Sequence, residues 1–270
     1  AAFRFRYPNY PGVIAGAYTG NLSNGGEKIE LDSPIGGIIH EFTYKDSWYD
    51  QADGDGCSLT IVDLNQALSL WDQKAGWRPS ALSGGSPGGT DTPLAKGGVV
   101  ISEAFTHSDL PAGDEIELHN TTGQPINVGG WLLSDDRLDV QGNLVLDKYR
   151  IADPTWIPAY GYVSFTQTGN FGIGSGDPGS RIGFGMSELG DELYLSNSVL
   201  VNGQWVLGGY REHVDFGHAP NGMSFGLYPT SSGEEDFTLL TAPTIGQDNA
   251  PAYTGPLAAG EVMYQPPEPS

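Results

Sequence analysis

The run Asp114-Glu115-Ile116-Glu117-Leu118-His119-Asn120 alternates charged or polar side chains with apolar ones. A period of two is typical of a half-buried β-strand, with one face in a core and the other toward solvent. A second apolar run, Gly130-Trp131-Leu132-Leu133-Ser134, follows after a turn. These two runs predict strands rather than helices at the centre of the chain.

Working outward, further short apolar runs are separated by clusters of Gly, Asn, Asp and Pro. They are Val99–Phe105, Tyr160–Phe165, Glu192–Leu195 and His213–Phe216. The chain holds 40 Gly and 19 Pro, which fall as punctuation between these runs. Only Leu64–Lys74 offers a helical window, and it is short. The pattern predicts an all-β protein, and short strands at this spacing favour a β-sandwich.

The overall charge narrows the range of partners. Twelve basic residues against 33 acidic ones give 270 residues a formal charge of −21. Such a surface repels phosphate backbones and anionic lipids, so we expect no nucleic-acid binding and no membrane insertion. Divalent cations and cationic partners remain open. Cys57 is the only cysteine, which excludes an internal disulfide. The first residues carry no signal-peptide pattern, so an exported chain would be mature or internal sequence.

The chain also resembles itself. Several segments match others about 160 residues downstream, in the same order. The matching pairs are Leu22–Leu31 with Met186–Leu195, Glu41–Tyr44 with His213–Phe216, Asp55–Leu59 with Asn221–Phe225, Ser86–Gly88 with Pro243–Gly246, and Ile101–Phe105 with Ala259–Met263. The phase of this repeat predicts three parts. We expect residues 1–92 to be the later half of one module, residues 97–250 a complete module, and residues 255–270 the opening strand of a further one.

Five motifs in the complete module resemble the lamin-tail domain in its bacterial version. They are Ile101-Ser102-Glu103-Ala104, Asp114–Asn120, Gly130–Asp136, Gly222-Met223-Ser224 and Thr244–Asn249. The resemblance covers nearly all of residues 97–250, whereas residues 1–92 carry only the later motifs. It implies an Ig-like sandwich found in tandem on large secreted or surface-attached bacterial proteins, and it implies no catalytic centre.

One loop is a candidate metal site. Asp50, Asp53 and Asp55 lie close together in sequence, and glycines at positions 54 and 56 permit tight curvature. Crowded carboxylates are the ligands that Ca²⁺ prefers. The spacing is not that of an EF-hand, so a solvated acidic loop is the alternative to calcium. Asp135-Asp136 and Asp114 form a second, weaker candidate.

Two further patterns could carry chemistry. Gly222-Met223-Ser224-Phe225-Gly226 matches the nucleophile elbow of hydrolases, but the required helix and a following histidine are missing, so we expect no enzymatic activity. The tryptophans could instead form a sugar-binding platform. Trp131 is expected in the core, whereas Trp48, Trp77 and Trp156 lie in loops, where they could stack on a sugar or cap the sandwich.

These observations favour a non-enzymatic extracellular or cell-surface protein with a structural or adhesive role. Its modules would act as spacers, contact surfaces or filament subunits, with other copies of the chain or neighbouring surface proteins as partners. A carbohydrate-binding module that holds polysaccharide, and accessory domains of a larger surface enzyme, are the alternatives. The two incomplete ends suggest strand donation between chains, because exposed strand edges recruit other strands.

Overall fold

The computed structural model describes residues 2–14, 16–106 and 113–255. The all-β prediction is confirmed, since antiparallel strands dominate this part of the chain. The strands are β1 (Glu27–Asp32), β2 (Ile38–Tyr44), β3 (Leu59–Ile61), β4 (Trp77–Pro79), β5 (Val99–Phe105), β6 (Glu115–Asn120), β7 (Ile126–Asn127), β8 (Leu132–Ser134), β9 (Tyr149–Arg150), β10 (Trp156–Ile157), β11 (Tyr162–Thr166), β12 (Asp191–Val201), β13 (Gln204–Phe216), β14 (Phe225–Pro229) and β15 (Glu235–Leu239).

In the described ranges, helical structure is confined to single turns and one short helix. The α-helix α1 spans Ala2–Arg6, and a π-helical turn spans Gln167–Phe171. The remaining turns are 3-10 helices at Asp46–Trp48, Asp50–Ala52, Leu68–Leu70 and Lys74–Gly76. The helical window at Leu64–Lys74 therefore becomes two separate 3-10 turns. Within the described ranges, no helix is long and apolar enough to cross a bilayer.

Two sheets form the sandwich. Sheet I has the strand order β11-β6-β5-β14-β15, and sheet II has the order β13-β12-β8-β9. All their pairings are antiparallel, including the long β12–β13 hairpin from Asp191 to Phe216. Each sheet turns one apolar face toward the other, which is the arrangement that removes most apolar surface from water.

The core of the sandwich contains Trp131, as predicted, together with apolar residues of the predicted strands. Ile116, Leu118, Leu133, Leu193 and Leu195 are fully buried, and Trp131 is 4% exposed. Trp131 packs against Tyr210, with ring centroids 5.4 Å apart. The alternation read from the sequence is visible in β6, where Ile116 and Leu118 enter the core. Glu117 lies on the other face of β6 and is also buried, because a loop described below covers it.

The N-terminal part is built from two hairpins, β1–β2 and β3–β4. The segment between β3 and β4 carries Trp71, which packs against His40 and Phe42 of β2. Trp77 lies 5.0 Å from Phe42 and 6.3 Å from Trp48, ring centroid to ring centroid. A small aromatic cluster therefore holds the two hairpins together, separate from the core of the sandwich.

Hairpin β1–β2 repeats the geometry of β12–β13. Glu27 pairs with Tyr44, and Asp191 pairs with Phe216, at the positions that the sequence repeat makes equivalent. The turns that lead into the two hairpins also match. The Ser23 amide donates to the Glu27 carboxylate at 2.9 Å, and the Ser187 amide donates to the Asp191 carboxylate at 2.8 Å.

Hairpin β3–β4 repeats the geometry of β14–β15 in the same way. Leu59 pairs with Pro79, as Phe225 pairs with Leu239. One residue further on, the Ser80 amide donates to the Ser58 carbonyl at 2.8 Å, and the Leu240 amide donates to the Ser224 carbonyl at 2.8 Å. The sequence match between the two parts thus extends to strand register and turn geometry. The predicted opening strand at 255–270 lies outside the described residues except for Gly255.

Candidate functional site

The N-terminal hairpins join the sandwich through an edge strand. The Ser83 amide donates to the Leu207 carbonyl at 2.8 Å, and the Gly209 amide donates to the Ala81 carbonyl at 3.1 Å. Leu82 and Gly208 form the antiparallel bridge between these two bonds. Residues 81–83 therefore extend sheet II beyond β13, and they cover part of an edge that would otherwise be open. We call this contact the joint.

A Gly-Gly pair in β13 allows the close approach at the joint. A Cβ atom on Gly209 would lie 2.0 Å from the Ser80 carbonyl oxygen, which is backbone and cannot move aside. A Cβ atom on Gly208 would lie 2.0 Å from the amide oxygen of Asn197. That oxygen accepts a hydrogen bond from the Tyr210 amide at 2.9 Å, so its position is set by the sandwich. Glycine is required at both positions.

A buried ion triad lies beside the joint. Arg137 Nη2 binds Asp55 Oδ1 at 2.9 Å, and Arg211 Nη1 binds Asp55 Oδ2 at 2.5 Å. The side chains of Asp55 and Arg211 are 4% and 5% exposed, and that of Arg137 is 22% exposed. Arg211 lies on β13 and Asp55 on the loop before β3, so the triad crosses the joint. A buried carboxylate of this kind needs charged partners, and two guanidinium groups supply them.

This geometry bears on the predicted calcium site. Asp55 turns both carboxylate oxygens toward arginines, while Asp50 and Asp53 are exposed to solvent. No group of three or more His, Cys, Asp or Glu side chains able to hold a metal is found in residues 2–14, 16–106 and 113–255. A cation beside Asp55 would also face two positive charges. Pairing with two arginines thus disfavours calcium at Asp55.

The fold also separates the members of the second candidate metal site, Asp135-Asp136 and Asp114. Lys148 Nζ binds Asp135 at 2.6 Å and Asp136 at 2.5 Å. Asp114 lies elsewhere and accepts a hydrogen bond from the Met186 amide at 2.6 Å. Burial raises the pKa of Asp114 to about 6. Lys148 already offsets part of the negative charge of the two adjacent aspartates, so a metal cation would gain less by binding there.

Two buried glutamates fasten the end of the module to sheet I. Glu103 and Glu117 pair across β5 and β6, and both are fully buried. The amide and the hydroxyl of Thr244 each donate to the Glu103 carboxylate at 2.9 Å, and the Gly246 amide donates to Glu117. Burial raises the pKa of Glu117 to about 7, and the neighbouring Glu103 and Glu115 act in the same direction. The segments 101–104 and 244–249, which are far apart in sequence, are thus joined in one structural contact.

The hydrolase-like motif is structural as well. Ser224 is fully buried where β14 begins, and its hydroxyl has no hydrogen-bond partner in the described part of the chain. Its backbone carbonyl accepts from the Leu240 amide in the β14–β15 hairpin. A substrate carbonyl cannot reach a side chain in this position, so the motif supplies no nucleophile as the chain is folded here.

The three tryptophans predicted in loops lie instead in short regular elements: Trp48 ends a 3-10 turn, Trp77 begins β4 and Trp156 begins β10. Trp48 and Trp77 are buried in the N-terminal aromatic cluster, whereas Trp156 is 59% exposed. A separate groove of about 330 Å³ on the outer side of sheet II is lined by Leu132, Asp147, Arg150, Arg181, Trp205 and Leu207. The guanidinium of Arg150 already covers the Trp205 ring at 5.3 Å, and Arg181 pairs with Asp147. Trp156 is therefore the more accessible ring for a sugar.

Sequence reasoning missed the triad and the joint. Asp55 was identified, but its partners Arg137 and Arg211 lie far along the chain and have no motif of their own. The Leu207-Gly208-Gly209 run carried a weak signal, since paired glycines inside a strand indicate close backbone approach. No protein-family model, curated protein or solved structure matches this chain.

Proposed function

We propose that this chain is a non-enzymatic structural protein of an extracellular surface, in which lamin-tail-like modules form a stiff spacer and contact surface. The observation that carries the proposal is the joint. Backbone pairing between residues 81–83 and 207–209, together with the Asp55 triad, ties one unit to the next. Flexible tethering would need neither feature, whereas a spacer that keeps its units aligned needs both.

Charge and fold agree with a role at a surface. A formal charge of −21 keeps a surface-attached protein soluble and discourages unspecific association. The motifs that resemble catalytic or metal-binding patterns instead take part in hairpin pairing and ion pairs, as Ser224 and Asp55 illustrate. These residues are thus explained by their structural contacts.

Stiffness at the joint can be measured directly. Spin labels at Leu64 and Val140, both strongly exposed, report the distance between the N-terminal hairpins and the sandwich. We expect a narrow distance distribution that broadens in Asp55→Ala. A label pair at Val140 and Leu189, within the sandwich, is the control and should not change. A broad distribution in the unmodified chain would contradict the spacer role.

Location needs its own experiment. Antibodies raised against the chain and applied to intact, unpermeabilised cells of the source organism should label the outside in immunogold electron microscopy. Labelling confined to the interior of sectioned cells would contradict the proposal.

A second candidate, polysaccharide binding, is favoured only by the exposed Trp156. If that ring binds sugar, the chain should bind a glycan array or insoluble polysaccharide, and Trp156→Ala should abolish binding. Trp205→Ala is the matched control, because its ring is already covered by Arg150. A spacer should bind no glycan in either form.

A further inference from the structure

Strand β3 of the N-terminal unit has an edge that differs from that of its counterpart. In the sandwich, β14 pairs with β15 on one side and with β5 on the other, where Phe225 faces Ala104 and Gly226 faces Glu103. Within the described residues, β3 pairs with β4 alone. The position that β5 takes beside β14 therefore has no counterpart strand beside β3 in this part of the chain.

The apolar face next to that edge is also open at one end. Leu31 and Ile38 are 58% and 54% exposed. Leu31 corresponds to Leu195 by strand pairing. Ile38 lies past a bulge between Leu31 and Asp32 and corresponds to Tyr210 by its position in the sequence repeat. Leu195 and Tyr210 are 0% and 9% exposed. Tyr210 owes its burial to β5, because its hydroxyl donates to the Val99 carbonyl at 2.6 Å. Leu195 is covered because it pairs with Leu133 of β8.

The N-terminal unit covers only part of this face by itself. Trp71 and Trp77 pack over Phe42, which is half-buried. Beyond this cluster, Leu31 and Ile38 at the far end of the hairpin stay exposed. The uncovered apolar surface thus coincides with the positions that β5 and β8 protect in the sandwich. An added strand would bury this apolar surface and pair with the open strand edge, and both changes favour binding.

We propose that this edge accepts residues 257–263 of a second copy of the chain, which add to β3 as β5 adds to β14. The sequence of that segment supports the choice of occupant. Ala259-Gly260-Glu261-Val262-Met263 matches Ile101-Ser102-Glu103-Ala104-Phe105 of β5, and Leu257 corresponds to Val99. This inference rests on the proposed structural role and names the partner for one of its surfaces.

The register follows from the equivalent pairs in the sandwich. Val262 of the donating copy faces Leu59 of the accepting copy, and Glu261 faces Thr60, as Ala104 faces Phe225 and Glu103 faces Gly226. Leu257 then lies over Ile38, in the place that Val99 occupies beside Tyr210. The added strand supplies backbone hydrogen bonds to the open edge, and its apolar side chains cover the exposed end of β1–β2.

Such pairing joins two different surfaces, so it does not close after two copies. Each copy offers both the segment and the edge, and a heterologous contact of this kind generates an open chain of subunits unless the rotation closes a ring. The high negative charge of each copy opposes association at low ionic strength, so assembly is expected to strengthen as salt screens the repulsion.

A disulfide experiment tests both the partner and the register. Two variants are made in a Cys57→Ala background, one with Thr60→Cys and the other with Glu261→Cys. They are mixed in physiological salt under mild oxidation and separated on a non-reducing gel. Directly opposite cross-strand positions lie within disulfide reach, so we expect a dimer that contains one chain of each variant. Gly260→Cys replaces Glu261→Cys in the control, since it lies one residue out of register on the other face of the strand.

Each result has a definite reading. A strong mixed dimer with Glu261→Cys and little with Gly260→Cys supports the proposal, as does loss of light scattering when residues 257–263 are deleted. Equal dimer yields would refute the register. In a third variant, which carries Thr60→Cys and Glu261→Cys on one chain, a link that forms only within the chain would refute the second copy as partner. Absence of any link in correctly folded variants would overturn the proposal while leaving the spacer role intact, because that role is tested by the spin-label distances and the surface labelling.

Discussion

The Asp55 triad provides the sharpest test of how the two units are held together. In Asp55→Ala, Arg137 and Arg211 lose their shared carboxylate. Arg211 is the critical partner, because its side chain is 5% exposed and its Nη2 atom already lacks a hydrogen-bond partner among the described residues. Removing one member of a buried pair typically costs about 3–5 kcal/mol, since the remaining charge stays buried without compensation. Because Arg137 is partly exposed, water can solvate its charge when Asp55 is removed. We therefore expect a loss of stability near the lower end of this range, at about 3 kcal/mol.

This loss should appear at the joint before it appears in the whole fold. Amide hydrogen exchange of Ser83 and Gly209 reports opening of the edge pairing, because these two amides form the bonds between residues 81–83 and 207–209. A loss of about 3 kcal/mol corresponds to exchange about 100-fold faster. Amides in the core of the sandwich, such as that of Leu195, should be nearly unchanged.

Two further variants separate charge from packing. Asp53→Ala removes an exposed carboxylate from the same loop and should leave exchange at Ser83 unaltered. Asp55→Ala combined with Arg211→Met removes the uncompensated charge and should recover much of the protection. If Asp55→Ala accelerated exchange no more than Asp53→Ala, the triad would not stabilise the joint and the reasoning would be refuted.

Three other predictions follow from the same contacts. Burial raises the pKa of Glu117 from 4.5 to about 7, so the folded state favours the protonated acid. The free energy of unfolding therefore falls as pH rises between these two values, by up to about 3 kcal/mol. Urea unfolding of Glu117→Gln should therefore show a higher free energy of unfolding than the unmodified chain at pH 8 and a similar one at pH 4, and a variant that is less stable at pH 8 would contradict this. Gly209→Ala places a Cβ atom against the Ser80 carbonyl and should accelerate exchange at Ser83, whereas Gly217→Ala, with open space around it, should not. Because arginines occupy Asp55, neither chelator nor added calcium should shift the melting temperature, and a rise with calcium would restore the calcium hypothesis.

Strand positions and the core of the sandwich could be predicted from the sequence because both depend on local alternation. Ile116 and Leu118 enter the core because every second residue of a strand faces the same way. The same logic failed to foresee the buried Glu117, because alternation assigns it to the solvent side and says nothing about the loop that covers it. The hairpin repeat was visible in sequence because equivalent turns need equivalent residues, as Ser23 and Ser187 illustrate.

The sequence by itself determined an all-β chain, its sandwich core and a self-similar order of segments, since short-range periodicity and turn chemistry specify these. Only the tertiary structure decided that Asp55 meets two arginines rather than a cation, and that residues 81–83 extend the edge of β13. Those contacts join residues far apart in the chain, and their partners carry no local signal. The packing of the two units therefore pairs the charge of Asp55 and covers the edge of β13. This long-range packing is what makes the acidic loop part of the joint.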